Sequence, residues 1–300
     1  MDIVTGSFGF IGKYITRHLL SLGRQVRTIT THPDKSNPFG KQVQAFPFDF
    51  EEPTKLLRTL QGVDILYNTY WIRFPYGNQT FKKALSNTRT LFKCAKDAGV
   101  SKIVQISVTH ASPLSNLPYY RGKGLQEEVL TDLDIPHAIV RPTLVFGKED
   151  ILVNNIAWLI RKFPFFPVFG NGEYRIQPIF VEDLAHIAIS LADASSGSVV
   201  DAIGPEIFSF KDFLQLIIGT LSRPIRLIHL PASIGIFLGK FIGMIVGDNI
   251  LTRNELKGLM QEFLISADTP NGETRFSDWL ATNKDTIGCF YSSELERHYR

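Results

Sequence analysis

Apolar positions in the first half of the chain fall into two alternating patterns. Short continuous runs at Asp2–Val4, Gln25–Thr30, Gln44–Phe48, Asp64–Asn68, Lys102–Ser107 and His137–Arg141 read as buried strands. Between them apolar residues recur at helical spacing. Ile11, Ile15, Leu19 and Leu22 share one face before Gly23 supplies a stop. Leu85, Phe92 and Ala95 face inward on the stretch 85–98, with Lys93, Lys96 and Asp97 facing out, and Leu125, Val129 and Leu133 line one side of 123–133. Strands alternating with helices predict an α/β fold, a parallel sheet doubly wound by right-handed crossovers in the Rossmann manner.

The pattern loosens from about Lys148. Leu152, Ile156, Leu159 and Phe163 define one more amphipathic helix, followed by the aromatic and proline-rich run 163–169. These aromatics read either as core or as the wall of an apolar pocket. The expected organisation is a nucleotide-type domain over 1–148, rejoined by 176–203, with a smaller, mostly helical C-terminal cap from 149–175 and 204–300. Trp279 and Leu280 are expected to pin the charged tail to that cap. Gly235, Gly239, Gly243 and Gly247 strip one face of an apolar segment. This ladder reads as tight intramolecular packing or as a peripheral membrane or oligomer contact through 231–247. The stretch Leu230–Val246, with Lys240 near its middle, is at the short limit for a bilayer span.

Composition narrows the function classes. Hydrophobic residues make up 44% and charged residues 20% of the 300, which supports a filled core. The net charge of +3, without a basic block, argues against a nucleic-acid partner. Cys94 and Cys289 lie far apart and lack ligand spacing, so neither a disulfide framework nor a metal site is expected. With no leader before the first strand, the expected location is cytoplasmic, with the membrane-peripheral alternative just named.

The chemistry concentrates in Thr5-Gly-Ser-Phe-Gly-Phe-Ile-Gly12, which places glycines at 6, 9 and 12 between a strand and a helix. Such a turn needs positive φ, close approach to a pyrophosphate excludes a Cβ, and the helix N-terminus offers free N–H groups to phosphate. Further along stand Asp49, Asn87, Ser107, Tyr119-Tyr-Arg-Gly-Lys123, Arg141-Pro-Thr-Leu-Val-Phe-Gly147 and Arg175-Ile-Gln-Pro-Ile-Phe-Val-Glu-Asp183. In that order over some two hundred residues, the set resembles the extended and atypical short-chain dehydrogenases/reductases. It is most similar to the branch that includes NmrA-like proteins and an accessory subunit of respiratory complex I.

That resemblance implies an NAD(P) cofactor contacted by Gly6, Ser7, Phe8, Gly9, Phe10, Ile11, Gly12, Thr30, Thr31, His32, Asp49, Thr69, Lys123 and Pro142. Asp49 would accept from the adenine amino group. The end of the second strand lacks the carboxylate that selects a ribose 2′-OH, and no acid occurs until Asp34. An arginine that NADP-preferring relatives often carry is missing at Thr31. Hydroxyls with His32 and Lys35 suit a 2′-phosphate, so NADP is preferred over NAD. The resemblance assigns Tyr119 as acid/base, Lys123 to ribose and tyrosine, and Ser107 as the hydroxyl orienting a substrate carbonyl or alcohol. Three features cut against it: the neighbouring Tyr120 competes for the role, Gly122 and Gly124 weaken a helix, and Pro118 starts one. His110 is a loop histidine that either donates a proton or is simply solvated. Arg175 resembles an arginine that contacts a substrate diphosphate, the alternative being a salt bridge to Glu173 or Glu182. Asp183 reads as a structural N-terminal helix residue. Two functions follow. One is an oxidoreductase or epimerase/dehydratase acting on a small hydroxyl or carbonyl compound; the other is a non-catalytic NAD(P)-binding sensor or structural subunit.

Overall fold

The computed structural model describes residues 1–231 and 252–298; the glycine ladder and most of 231–247 lie outside the described residues. The chain divides into two units, one of 1–142 with 181–202 and one of 143–180 with 203–300.

The first unit is built on seven strands: β1 (Asp2–Thr5), β2 (Val26–Thr30), β3 (Val43–Pro47), β4 (Ile65–Asn68), β5 (Lys102–Ile106), β6 (His137–Pro142) and β11 (Ser198–Ala202). Their order in the sheet is β11-β6-β5-β4-β1-β2-β3, and every pair is parallel. The expected doubly wound sheet is therefore present, with its order reversing between β1 and β4. Five helices cover it: α1 (Phe10–Ser21), α2 (Pro53–Leu60), α3 (Phe81–Asp97), α4 (Pro118–Thr131) and α6 (Val181–Ser190). α1 packs with α6, while α2, α3 and α4 adjoin in series. Leu56, Leu60, Leu91, Phe92 and Leu130 from this series meet Ile3, Ile29, Leu66, Ile103 and Ile139 of the sheet in one buried core. Parallel strands buried on both faces explain the continuous apolar runs in the sequence.

Two helices start earlier than the apolar spacing indicates. α3 begins at Phe81 because the Thr80 hydroxyl caps it, accepting from the Lys83 backbone N–H at 3.1 Å. α4 begins at Pro118, which occupies the first turn, and so takes in Tyr119. Gly122 and Gly124 do not break it. A Cβ at Gly122 would meet the Trp71 ring at 2.4 Å, and one at Gly124 the Ser112 backbone at 2.3 Å, so tertiary packing requires both.

Among its described residues the second unit carries the helices α5 (Leu152–Lys162), α7 (Phe210–Thr220), α8 (Arg253–Met260), α9 (Phe276–Asn283) and α10 (Glu294–His298). Its strands form three short pairs among the described residues. β7 (Leu144–Phe146) pairs with β10 (Pro178–Phe180), β9 (Arg175–Ile176) with β12 (Phe208–Ser209), and β8 (Phe165–Phe169) with β13 (Arg226–Leu230). The segment from Ile176 does not rejoin the first unit as the sequence suggests. Gln177 ties it to its own unit, its N–H donating to Leu264 O and its side chain to Gly204 O, both at 2.9 Å, and the return begins at Val181. Phe146, Phe213, Phe276 and Trp279 form the aromatic centre, and Leu280 is fully buried beside them. Of the aromatic run, Phe166 and Phe169 are buried whereas Phe163 and Phe165 are exposed. Among the described residues no helix is long and apolar enough to cross a membrane.

Candidate functional site

At the carboxyl end of β1 the chain turns sharply into α1. Gly6 has φ +68°, a conformation that suits glycine, and its N–H donates to Ile29 O at 2.8 Å. Gly9 N–H donates back to Gly6 O at 2.8 Å, and a Cβ at Gly12 would lie 2.3 Å from that same oxygen. Gly9 caps α1 without any side-chain hydrogen bond, and no acidic residue stands in the first turn. The positive end of the helix is thus left clear for an anion. Phe8, Gly9, Phe10 and Ile11 keep partial exposure along this loop.

Ser7 departs from its expected role. The residue has no exposed surface: its N–H donates to Thr28 Oγ1 at 3.0 Å and its hydroxyl accepts from Thr16 Oγ1 at 2.7 Å. It ties the loop to β2 and α1 from below rather than facing a ligand. Thr69 is bound to the same loop. Its N–H donates to Thr5 Oγ1 at 2.7 Å and its hydroxyl to Thr5 O at 2.5 Å.

At the end of β2, Thr30 is buried and accepts from the His32 N–H at 3.3 Å. A turn closed by Lys35 N–H donating to His32 O at 3.2 Å brings Thr31, His32 and Lys35 together on the exposed surface. Asp49, half-buried, has φ +42° and lies between Phe48 and Phe50, whose rings stack at 4.8 Å and both adjoin Tyr70. Asn87 is spent on that aromatic group, donating to the Tyr70 hydroxyl at 2.8 Å.

The residues expected to do chemistry converge on the ends of β5 and β6 but are not joined as expected. Lys123 is only 3% exposed; its ammonium donates to Ile106 O at 2.7 Å and lies 5.5 Å from the centre of the Trp71 ring. Burial pulls its pKa down to about 7, against the opposing pull of the Glu127 carboxylate. The Ser107 hydroxyl donates to Glu127 Oε1. Glu127 in turn receives both arms of the Arg141 guanidinium, Nε at 3.0 Å and Nη2 on the other oxygen. Ser107 therefore holds its proton toward Glu127. The two adjacent tyrosines pack edge to face at 5.5 Å, Tyr120 buried and Tyr119 half-buried. Pro142 closes β6 and is buried, its carbonyl accepting from the Thr109 N–H at 3.1 Å. His110 sits at φ +59° in the loop after Thr109.

Sequence reasoning did not single out Glu127 or Trp71. Glu127 follows Lys123 by one helical turn, a spacing that signals a shared face. Trp71 carries no such signal.

In the second unit Arg175 grips Glu262 rather than Glu173 or Glu182, with Nε to Oε1 at 3.0 Å and Nη2 to Oε2 at 2.6 Å. The chain places Glu262 just past α8, a pairing that sequence distance conceals. Glu173 pairs instead with Lys211 at 3.8 Å and Glu182 with Arg17 at 3.6 Å. Asp183 stands in the first turn of α6.

Residues 6–152 match a family model described as NAD(P)H-binding. The mitochondrial NADH dehydrogenase (ubiquinone) 1 alpha subcomplex subunit 9 of Arabidopsis thaliana is 26% identical over 242 residues, covering 77% of this chain and 60% of that protein. The match thus spans less than two thirds of that relative's length. Among solved structures, an NADPH-dependent quinone oxidoreductase from Escherichia coli complexed with NADPH superposes with a TM-score of 0.76 at 20% identity, over 95% of this chain and 99% of that one. A triphenylmethane reductase from Citrobacter sp. complexed with NADP(H) gives 0.75 at 17% identity, over 96% and 100%. At these identities the structural likeness establishes the fold.

Proposed function

We propose that the chain is an NAD(P)-binding protein akin to the extended, atypical short-chain dehydrogenases/reductases, a reading supported by the match of residues 6–152 to the NAD(P)H-binding model and by the likenesses just given. On that reading it binds NADP(H) in preference to NAD(H) and acts as an oxidoreductase or epimerase/dehydratase on a small hydroxyl or carbonyl compound. The observation that carries the cofactor reading is the glycine cradle. The approach of Gly12 to Gly6 O leaves no room for any side chain, and the uncapped start of α1 above it suits a pyrophosphate. Gly6, Phe8, Gly9, Phe10, Ile11, Gly12 and Thr69 would hold the phosphates and adjoining ribose, Asp49 the adenine, and Lys123 with Pro142 the nicotinamide half. The absence of an acid between Thr30 and Asp34, with Thr31, His32 and Lys35 gathered in one exposed turn, favours a 2′-phosphate.

When bound, the nicotinamide supplies or accepts hydride. Tyr119, half-buried in the first turn of α4, would give or take the proton at the substrate oxygen. Lys123 would support it from one turn along the same helix. Arg175 is the proposed substrate contact in the second unit, released from Glu262 to do so. Calorimetric titration with NADP+, NADPH, NAD+ and NADH tests the first claim: tighter binding of the phosphorylated pair supports it, and no binding of any of the four refutes it.

The engagement of Ser107 by Glu127 and of Lys123 by Ile106 O supports a second reading, a non-catalytic NAD(P)-binding sensor or subunit of an assembly. Single-turnover oxidation of bound NADPH, offered an aldehyde, a ketone and a quinone, separates the two. Cytoplasmic location and absence of nucleic-acid binding belong to the first reading. Segment 231–247 is kept as its proposed peripheral membrane or oligomer contact, to be tested by vesicle flotation and sedimentation.

A further inference from the structure

Trp71 lies in the chain just beyond β4, at the carboxyl edge of the sheet where ligands bind in open parallel sheets. Its neighbour Thr69 is hydrogen-bonded to Thr5, so the indole is held at a fixed offset from the glycine cradle in the same unit. Three contacts fix the ring. Phe81 stacks on it at 5.9 Å, Gly122 leaves a notch that a Cβ would fill at 2.4 Å, and the Lys123 ammonium sits 5.5 Å from the ring centre. The indole nitrogen is buried, and among the described residues no atom accepts its hydrogen. Leaving such a donor unsatisfied is a cost native structures rarely carry without a use.

A rigid, dry N–H beside Lys123 suits one kind of ligand atom, an uncharged carbonyl-type oxygen. We propose that Trp71 is a binding residue for the nicotinamide end of the cofactor, its indole N–H donating to the carboxamide oxygen. The proposal rests on the cofactor reading given above. It makes Trp71 select the nicotinamide over other bases, a task the cradle cannot perform because it would hold only the phosphates and adjoining ribose.

Trp71→Phe keeps the ring in the Gly122 notch and deletes the donor. In the full chain, affinities for NADP+ and for adenosine 2′,5′-bisphosphate, which lacks the nicotinamide half, are compared by calorimetry. Loss of one buried hydrogen bond predicts NADP+ weakened about tenfold in the variant, with the bisphosphate unchanged. A second measurement is free of any folding defect in the variant. With 15N-labelled indoles, the unaltered protein gives three tryptophan side-chain signals, and the Trp71 signal is expected to shift and its proton to exchange more slowly with NADP+ but not with the bisphosphate. Binding of both ligands with an unchanged affinity ratio in the variant, or an indole signal that responds equally to both, overturns the role of Trp71 alone. Failure of both ligands to bind the unaltered chain removes the cofactor reading and this proposal with it.

Discussion

Replacing Lys123 with methionine keeps an unbranched side chain in the same slot and removes the ionisable group. In the folded protein burial brings the lysine pKa down from 10.5 to about 7. Between those two values the unfolded chain binds the proton and the folded chain does not, so stability rises with pH through that window. The full cost of burying the charge is carried below about pH 7 and is relieved above the unfolded value. Each pH unit inside the window is worth at most about 1.4 kcal/mol for one proton. Allowing for partial titration near the folded pKa, the gain from about pH 7 to about pH 9 comes to roughly 2 kcal/mol. Urea unfolding of the nucleotide-free protein measures it, followed by fluorescence of Trp71. Trp158 and Trp279 fall in the second unit, so replacing both with phenylalanine isolates the signal. Every other ionisable group is common to both proteins and cancels in the comparison. Lys123→Met should lose roughly 2 kcal/mol of the pH-dependent gain. Parallel stability profiles for the two proteins across this range refute the claim that Lys123 is held neutral by burial.

Gly12→Ala puts a methyl 2.3 Å from Gly6 O; it should destabilise the first unit by about 1–3 kcal/mol in urea and weaken NADP+ binding at least about tenfold by calorimetry. Glu127→Gln leaves the Arg141 guanidinium without its carboxylate and should cost about 3 kcal/mol, read as a lower urea midpoint; an unchanged midpoint means the pair holds nothing together. Lys35→Glu should weaken NADP+ about tenfold by calorimetry while leaving NAD+ within about twofold; equal losses for both would place Lys35 away from the 2′-phosphate.

The central strands β1, β2, β4, β5 and β6 were legible because they are buried nearly throughout, and a continuous apolar run leaves its helices to fill the gaps between; β11, a half-buried strand at the sheet edge, went unread. The glycine loop was legible for a different reason: close backbone approach admits one residue type only. Legibility failed where tertiary contacts decide. Gly122 and Gly124 read as helix breakers until Trp71 and Ser112 are seen against them. Pro178–Phe180 is too short to declare its partner, and pairs with Leu144–Phe146 in the second unit. α2 went unread although Pro53 sits in its first turn and Leu56 and Leu60 share its buried face. In the site, Lys123 and Ser107 were found by motif but their partners were not. A carboxylate on a helix looks solvated in sequence, and only the fold reveals that Glu127 is buried between Ser107 and Arg141.

The first unit is discontinuous, and this sets an order of events during synthesis. β11 pairs in register with β6, Ser198 opposite Ala138 through Ala202 opposite Pro142, but the chain makes the excursion 143–180 before it can do so. A nascent chain that has emerged only as far as the end of the family match, residue 152, presents β6 as an open edge. It also lacks α6, whose His186 ring lies 4.2 Å from that of His18 on α1 and whose Glu182 pairs with Arg17. Closing the sheet across so long a loop is slow, and the waiting edge is a template for intermolecular pairing. A fragment cut at residue 152 would keep every glycine of the cradle and still be prone to aggregate. For this chain the smallest sound nucleotide-binding piece therefore runs on through Ala202, carrying the excursion with it.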